Sequence, residues 1–299
     1  MDYGGPGDIA DDLAGIVTAA EEIGLHSVWF MDHLFQIPVV GEPSEPMLET
    51  YTTLAWAAAQ TTRLELGALV TAVPYRHPGM LIKTVTTLDV LSGGRAWLGL
   101  GAAWNEQEAA SLGIPFPPLK ERFEQLEDVL ELADQMFADD TAAFEGRRFT
   151  LPNPMNHPLP RRRPPILIGG GGEKKTLRLV AAHADATNLF EPEVGRKLEV
   201  LRRHCETAGR RFEDIAITTT GLLGPLDSVD RTVERFGGLA DLGVDMAIVD
   251  TPYPFAEAGE FLSEVSGQIF DLGRTPPPVL DGGPGGSPGG SREVAGPQA

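Results

Sequence analysis

The chain has 299 residues, 42% of them hydrophobic, and a formal charge of −19, enough for one large α/β domain with a substantial core. The acidity argues against nucleic acid and anionic membrane as partners, and no apolar run is long enough to cross a bilayer. The single Cys205 excludes an internal disulfide and a cysteine metal cluster, and residues 1–8 lack the basic start and apolar centre of a signal peptide, so a cytoplasmic location is expected.

Ile9, Leu13, Ile16, Val17, Ala20 and Ile23 recur at helical spacing, and Gly24 closes that helix. Residues 26–31 read as a strand and 32–48 as a long loop rich in proline and glycine. A helix follows over 49–62, a strand over 63–71, a turn over 72–78, a helix over 79–91 and a strand over 96–100. Leu119, Phe123, Leu126, Val129, Leu130, Ala133 and Phe137 mark a strongly amphipathic helix. Residues 144–159 read as a small hairpin around Gly146 and a proline-rich connection. Beyond it, strands at 165–168, 185–189, 215–219 and 244–249 alternate with helices at 173–183, 192–208, 229–242 and 256–269. Residues 273–299 have almost nothing to bury and are expected to be a disordered tail, leaving 1–272 as the folded domain.

This alternation predicts a parallel sheet, and its regularity favours a TIM-type (β/α)8 barrel over an open doubly wound sheet. The strands number seven, and the missing one is expected first, because the chain opens directly on a helix. Residues 1–8 read as a strand-to-helix loop. The expectation is that Met1 is internal to a longer natural product and that a short apolar strand precedes it.

In such a barrel the active site lies at the C-terminal ends of the strands. The loops beginning at Asp32, Ala72, Gly101, Gly169, Phe190, Thr220 and Asp250 therefore form the catalytic face. Asp32 and His33 directly follow a strand. A histidine there is placed to exchange a proton with a substrate oxygen; the bland alternative is that the pair caps the strand end. Arg76 is open to an anionic tail, whereas His77 before Pro78 reads as structural. Asn105 suits a hydrogen bond to a ring amide or a sugar hydroxyl, and equally a helix N-cap. Two strands end on glycines: Leu98-Gly99-Leu100-Gly101, and Ile166-Leu167-Ile168 running into Gly169, Gly170, Gly171 and Gly172. Such backbone is bare, and N–H groups at a helix opening at Glu173 suit a phosphate. One cofactor lying across several strand ends is the implied arrangement. Arg161, Arg162 and Arg163 lie on the opposite face and read as solvated surface. There is no GxxxxGK[ST], GxSxG or HExxH, and no metal site is expected.

Five stretches then become recognisable: Val28-Trp29-Phe30-Met31-Asp32-His33-Leu34; Leu66-Gly67-Ala68-Leu69-Val70-Thr71 with Tyr75-Arg76-His77-Pro78; Leu91-Ser92-Gly93-Gly94-Arg95 with Leu98-Gly99-Leu100-Gly101; Gly113-Ile114-Pro115-Phe116; and the run from Pro165 through Gly172 to Leu177. In this order, over about residues 9 to 270, they resemble the luciferase-like monooxygenase superfamily, most of all its actinobacterial class that uses the deazaflavin F420. The resemblance implies a TIM-type barrel with the deazaflavin across its strand ends. In relatives the ring rests on a backbone bulge, often with a non-prolyl cis peptide, which maps onto Leu69 and Val70, next to Thr71, Gly101 and Ala102. Asp32, Asn105 and the backbone of Gly169, Gly170, Gly171 and Gly172 match cofactor contacts, and His33 matches the histidine that faces the reacting ring.

The function so implied is hydride transfer between F420 and a small organic substrate. An FMN-dependent monooxygenase is the alternative, and a cofactor-binding protein without turnover a third. The family also favours a homodimer. One departure bears on the substrate: sugar-phosphate dehydrogenases of the superfamily carry an acidic residue just after the glycine turn, where this chain has Ala102-Ala103-Trp104. That argues against glucose 6-phosphate and for a flatter or more apolar molecule.

Overall fold

Apolar strands alternating with amphipathic helices fold as the pattern predicts. The computed structural model describes residues 9–223, 228–250 and 255–271. In chain order these form α1 (Ile9–Glu22), β1 (Ser27–Phe30), α2 (Thr50–Gln60), β2 (Glu65–Ala68), β3 (Thr71–Ala72), α3 (Pro78–Ser92) and β4 (Leu98–Gly101). Then come α4 (Glu106–Ser111), α5 (Leu119–Phe137), β5 (Phe144–Glu145), β6 (Thr150–Leu151), β7 (Ile166–Gly169) and α6 (Thr176–His183). The chain continues through β8 (Ala186–Phe190), α7 (Val194–Ala208), β9 (Ala216–Leu222), α8 (Val229–Asp241), β10 (Met246–Asp250) and α9 (Phe255–Asp271). The expected tail and residues 1–8 lie outside the described residues.

The parallel strands neighbour one another in chain order: β3, β4, β7, β8, β9 and β10 form one ladder, and β1 pairs with β2. A bridge between Leu66 and Ala96 joins the two sets. β2 and β3 are two halves of one strand, broken where the Leu69-Val70 peptide is cis, at the position that the resemblance marks as a bulge. Counting that broken strand once, seven parallel strands lie among the described residues. The two outer ones are β1 and β10, and Ser27 Oγ at the start of β1 lies 3.4 Å from Met246 Sδ at the start of β10. Ile23 and Leu25 pack beside Leu223, Ala258 and Leu262 at this seam.

Successive strand residues point to opposite faces. Phe30, Leu66, Leu98, Leu100, Ile166 and Ile168 face the helices and form the main core with them. Trp29, Trp97, Leu167, Ala186 and Ala216 face inward as a separate cluster, with the two indoles edge-to-face at 5.5 Å. Below them Glu65 accepts hydrogen bonds from the Trp97 indole and from Arg162, at 2.9 Å. Arg161 is exposed as expected, but Arg162 and Arg163 are not solvated surface. Arg162 plugs the lower end of the lumen, and Arg163 pairs with Asp134 and Asp185. The hairpin around Gly146 forms as expected. Asp128 of α5 orders it by accepting from the N–H groups of Arg147, Arg148 and Phe149.

The glycines at the strand ends are not bare. A Cβ on Gly99 would stand 2.0 Å from the Ala68 carbonyl oxygen, and one on Gly101 or Gly169 would meet the Val70 methyls at 2.6 Å or 2.9 Å. The chain's own bulge occupies the space that the glycines leave. Gly99→Ala should destabilise the protein by about 1–3 kcal/mol, because the obstacle is backbone that cannot rotate away. Gly15→Ala, in the open middle of α1, should be neutral or stabilising by up to about 1 kcal/mol. Thermal unfolding of the two variants beside the wild type checks the pair, and equal melting temperatures would refute the steric account.

Candidate active site

The polypeptide leaves β1 and turns straight into Asp32, which is 3% exposed. Its Oδ2 accepts the Ala72 N–H at 3.0 Å and the Arg76 guanidinium at 2.5 Å, tying the end of β1 to β3 and the turn beyond it. Arg76 also reaches Glu49 and lies 4.9 Å over the Tyr51 ring. Burial alone would lower its pKa, but Asp32 and Glu49 outweigh burial and hold the guanidinium firmly charged. Arg76 is thus committed to carboxylates rather than open to an anionic tail. His77 stands at the N-cap of α3 with its ring edge-on to Phe149, in keeping with a structural role. Asp32 Oδ1 is buried with no hydrogen-bond partner among the described residues. Burial pushes the pKa of the Tyr51 hydroxyl up, and that hydroxyl lies 2.6 Å from Thr71 Oγ1.

A second carboxylate, which the sequence reading did not single out, fixes His33. Glu108 on α4 is 1% exposed. Its Oε1 lies 2.7 Å from His33 Nδ1 and accepts the Tyr75 hydroxyl at 2.7 Å, while Oε2 accepts the Leu34 N–H at 2.8 Å. Burial pushes this carboxyl upward, but the hydrogen bonds from His33, Leu34 and Tyr75 overcome it and hold its pKa below the ordinary 4.5. Tyr75 responds in the opposite sense: burial and the neighbouring carboxylate both raise its pKa, so it stays a hydroxyl donor. An ionised Glu108 can only accept, so the proton between it and His33 belongs to Nδ1, leaving Nε2 for other chemistry. Trp104, 62% exposed, meets the His33 ring edge-on at 5.4 Å. Asn105 takes the N-cap position of α4 without a side-chain cap, and its carbonyl accepts from Tyr75.

Leu69 and Val70 stand half-buried at the end of β2, and Thr71 follows on β3. Gly101 ends β4 beside them and Ala102 follows it, and Arg122 grips the carbonyls of Ala102 and Ala103 from α5. Gly169 ends β7, and Gly170, at φ 108°, donates to the Asn188 carbonyl. The helix after the glycine run opens at Thr176, not Glu173. Residues 173–175 form a turn first, and Leu177 N–H reaches back to the Gly172 carbonyl. Lys197 of α7 is buried against this loop: a Cβ on Gly171 would lie 3.1 Å from its chain, and its ammonium sits 3.1 Å from Glu173. All the residues singled out for the site lie at one end of the sheet, the C-terminal ends of β1, β2–β3, β4 and β7.

The adjoining wall of the lumen, β8 and β9, carries three further polar residues. Asn188 donates from Nδ2 to Thr218 Oγ1 at 2.9 Å, and Thr220 Oγ1 donates to Asn188 Oδ1 at 2.9 Å. Thr218 passes its own proton to the Thr187 carbonyl. The sequence reading singled out neither Asn188 nor Thr218 and placed Thr220 only at the start of a loop.

The Glu108 network gives a pH-dependent expectation. A carboxyl whose folded pKa lies below its unfolded value stabilises the fold above that unfolded value, and the contribution is lost as pH falls through the folded one. Glu108→Ala should cost about 2–4 kcal/mol near neutral pH, since three donors lose their acceptor. The deficit should persist down to about pH 4.5 and shrink below it. Denaturant unfolding from pH 7 to pH 3 measures this, and a deficit independent of pH would contradict it.

Comparison with known proteins places this geometry. F420-dependent glucose-6-phosphate dehydrogenase of Kineococcus radiotolerans is 33% identical over 56% of this chain and 48% of its own length. The Amycolatopsis mediterranei protein of that name is 28% identical over 75% and 63%. The chain thus spans less than two thirds of these relatives. Among solved structures, an F420-dependent secondary alcohol dehydrogenase in complex with an F420–acetone adduct superposes with a TM-score of 0.76 at 15% identity, covering 89% of this chain and 96% of that one. The coenzyme F420-dependent tetrahydromethanopterin reductase of Methanopyrus kandleri gives 0.72 at 16%, covering 88% and 95%. At such identities the likeness is one of fold, the TIM-type barrel expected from the alternation. The luciferase-like monooxygenase family profile matches residues 2–256, and the chain belongs to that family.

Proposed function

We propose that this protein is an F420-dependent oxidoreductase that moves a hydride between the deazaflavin and a small organic substrate. The observation that carries the reading is the cradle at the strand ends. A broken strand lays Val70 across Gly99, Gly101 and Gly169, and beside it the buried Asp32 Oδ1 lacks a partner. A flat ring with a polar edge fits there: an apolar surface to rest on, and an acceptor waiting for an N–H. The names of the relatives support F420 as that group.

In this reading Leu69, Val70 and Thr71 back the ring, and Asp32 and Asn105 hold its polar edge. Gly101 lets Val70 stand where it backs the ring, and Ala102 follows at the ring's side. Of the glycine run, Gly171 and Gly172 offer backbone to the phosphate, the Gly170 N–H being spent on the Asn188 carbonyl, with Lys174 and Lys197 near by. When bound, F420 supplies a two-electron hydride centre at C5. His33, with Nδ1 held by Glu108, moves a proton to or from the substrate oxygen through Nε2. Trp104 shields that proton from water. No described helix is long and apolar enough to cross a membrane. A cytoplasmic homodimer completes the proposal.

Fluorescence titration should show F420 binding more tightly than FMN. Micromolar FMN binding with no detectable F420 binding would sink the reading. His33→Ala should lower turnover about 10²–10⁴-fold while F420 affinity changes little. Unchanged turnover would return His33 to a structural role.

A further inference from the structure

The two lumen walls differ in chemistry, and the difference selects among substrates. Register places Asn188, Phe190, Thr218, Thr220, Leu222 and Ile248 on the lumen face of β8, β9 and β10. The hydrogen bonds along this wall have a fixed direction. Thr218 spends its proton on the Thr187 carbonyl, so it must accept from the Asn188 amide; Asn188 Oδ1 in turn receives the Thr220 proton. What remains is one Asn188 N–H and the lone pairs of Thr220: a donor and an acceptor, side by side and uncharged. Above them the rim is apolar. Trp104, Phe190 and Leu222 are 62%, 65% and 65% exposed, although each is large enough to prefer burial.

Charge at this face points the same way. In the loops that follow β1, β3, β4, β8, β9 and β10, Arg76 is the one Lys or Arg in the sequence, and Asp32 and Glu49 hold it. Glu42, Glu45, Glu106 and Asp250 belong to those loops or strand ends. The basic pair Lys174 and Lys175 stands at the glycine loop beside β8, where Gly169 is paired with Asn188, and in the F420 reading that loop serves the cofactor's phosphate. Arg235 of α8 reaches the Leu222 carbonyl, but Glu191 holds it through both carboxylate oxygens, so among the described residues the arginines at this rim, Arg76 and Arg235, are already engaged by carboxylates.

Resting on the F420 reading, we infer that the substrate is an uncharged molecule with an apolar body and a single carbonyl or hydroxyl oxygen, and that phosphorylated sugars are rejected. The oxygen meets Asn188 and Thr220, and the body lies among Trp104, Phe190 and Leu222. Desolvating a phosphate here without a counter-ion costs more than the hydrogen bonds return.

Saturation-transfer NMR on the full chain, with and without F420, tests this with two probes, the neutral ring ketone cyclohexanone and glucose 6-phosphate. Transfer to cyclohexanone and none to glucose 6-phosphate is expected. Asn188→Leu with Thr220→Val should weaken cyclohexanone binding about tenfold. Leu222→Lys, a change on the exposed rim that leaves the wall intact, should admit glucose 6-phosphate. Glucose 6-phosphate binding to the wild type as tightly as cyclohexanone would overturn the inference. So would cyclohexanone binding indifferent to both wall substitutions, or no binding of either probe. Quenching of F420's own fluorescence reports the cofactor separately. If F420 fails to bind while cyclohexanone behaves as expected, the proposed function falls and the lumen specificity stands.

Discussion

The structure depends on a shortage of space at Val70. The strand from residue 65 to 72 breaks at Leu69-Val70, and the break pushes the Ala68 carbonyl and the Val70 methyls over two neighbouring strands. Any side chain at Gly99, Gly101 or Gly169 would collide with them at 2.9 Å or less. None of these three glycines has a positive φ, so close approach rather than backbone freedom demands them. That one requirement links β2–β3, β4 and β7, and sets the level at which the sheet stops and the mouth begins.

Two buried carboxylates then hold the loops against that level. Asp32 ties β1 to the turn after β3, and Glu108 ties α4 to the same β1 loop and to Tyr75. Burying a carboxylate is costly unless it is well hydrogen-bonded. Glu108 is fully engaged, which suits a positioning group. Asp32 has one oxygen satisfied twice and the other not at all. Within one site, the complete network orients a side chain and the incomplete one awaits a donor.

The alternation of strands and helices was legible because each barrel strand is a short apolar run and each helix has an apolar stripe. Most observed boundaries fall within two residues of the predicted ones. Asp32 and His33 were legible because they follow a strand directly, and Leu69 and Val70 only through the family resemblance. Glu108 was not, since it stands in the polar run Asn105-Glu106-Gln107-Glu108 and its burial comes from the loop after β1, far away in sequence. Arg162 misled for the same reason: three arginines in a row read as surface, and only Glu65, 97 positions earlier, makes one of them interior. The start of α6 slipped because a turn over residues 173–175 separates the glycines from the helix, and no local signal distinguishes that turn from a first helical turn.

Net charge illustrates how position turns composition into chemistry. A total of −19 excludes partners but selects nothing. The fold then distributes it. Arg162 goes to the foot of the lumen, where Glu65, itself accepting from the Trp97 indole, locks it as a plug. Burial would raise the Glu65 carboxyl, yet His26 and Arg162 pull it below its ordinary value, so the plug is an ion pair rather than a neutral contact. Above this ion pair the lumen is lined by Trp29, Trp97 and Leu167. At the strand ends the ionised Glu108 orients His33, Asp32 holds Arg76, and the rim stays acidic. Glu108 spends both oxygens within the fold, whereas Asp32 keeps one oxygen without a partner among the described residues, so hydrogen-bonding capacity is left at the mouth on Asp32 and on neutral groups such as Asn188 and Thr220.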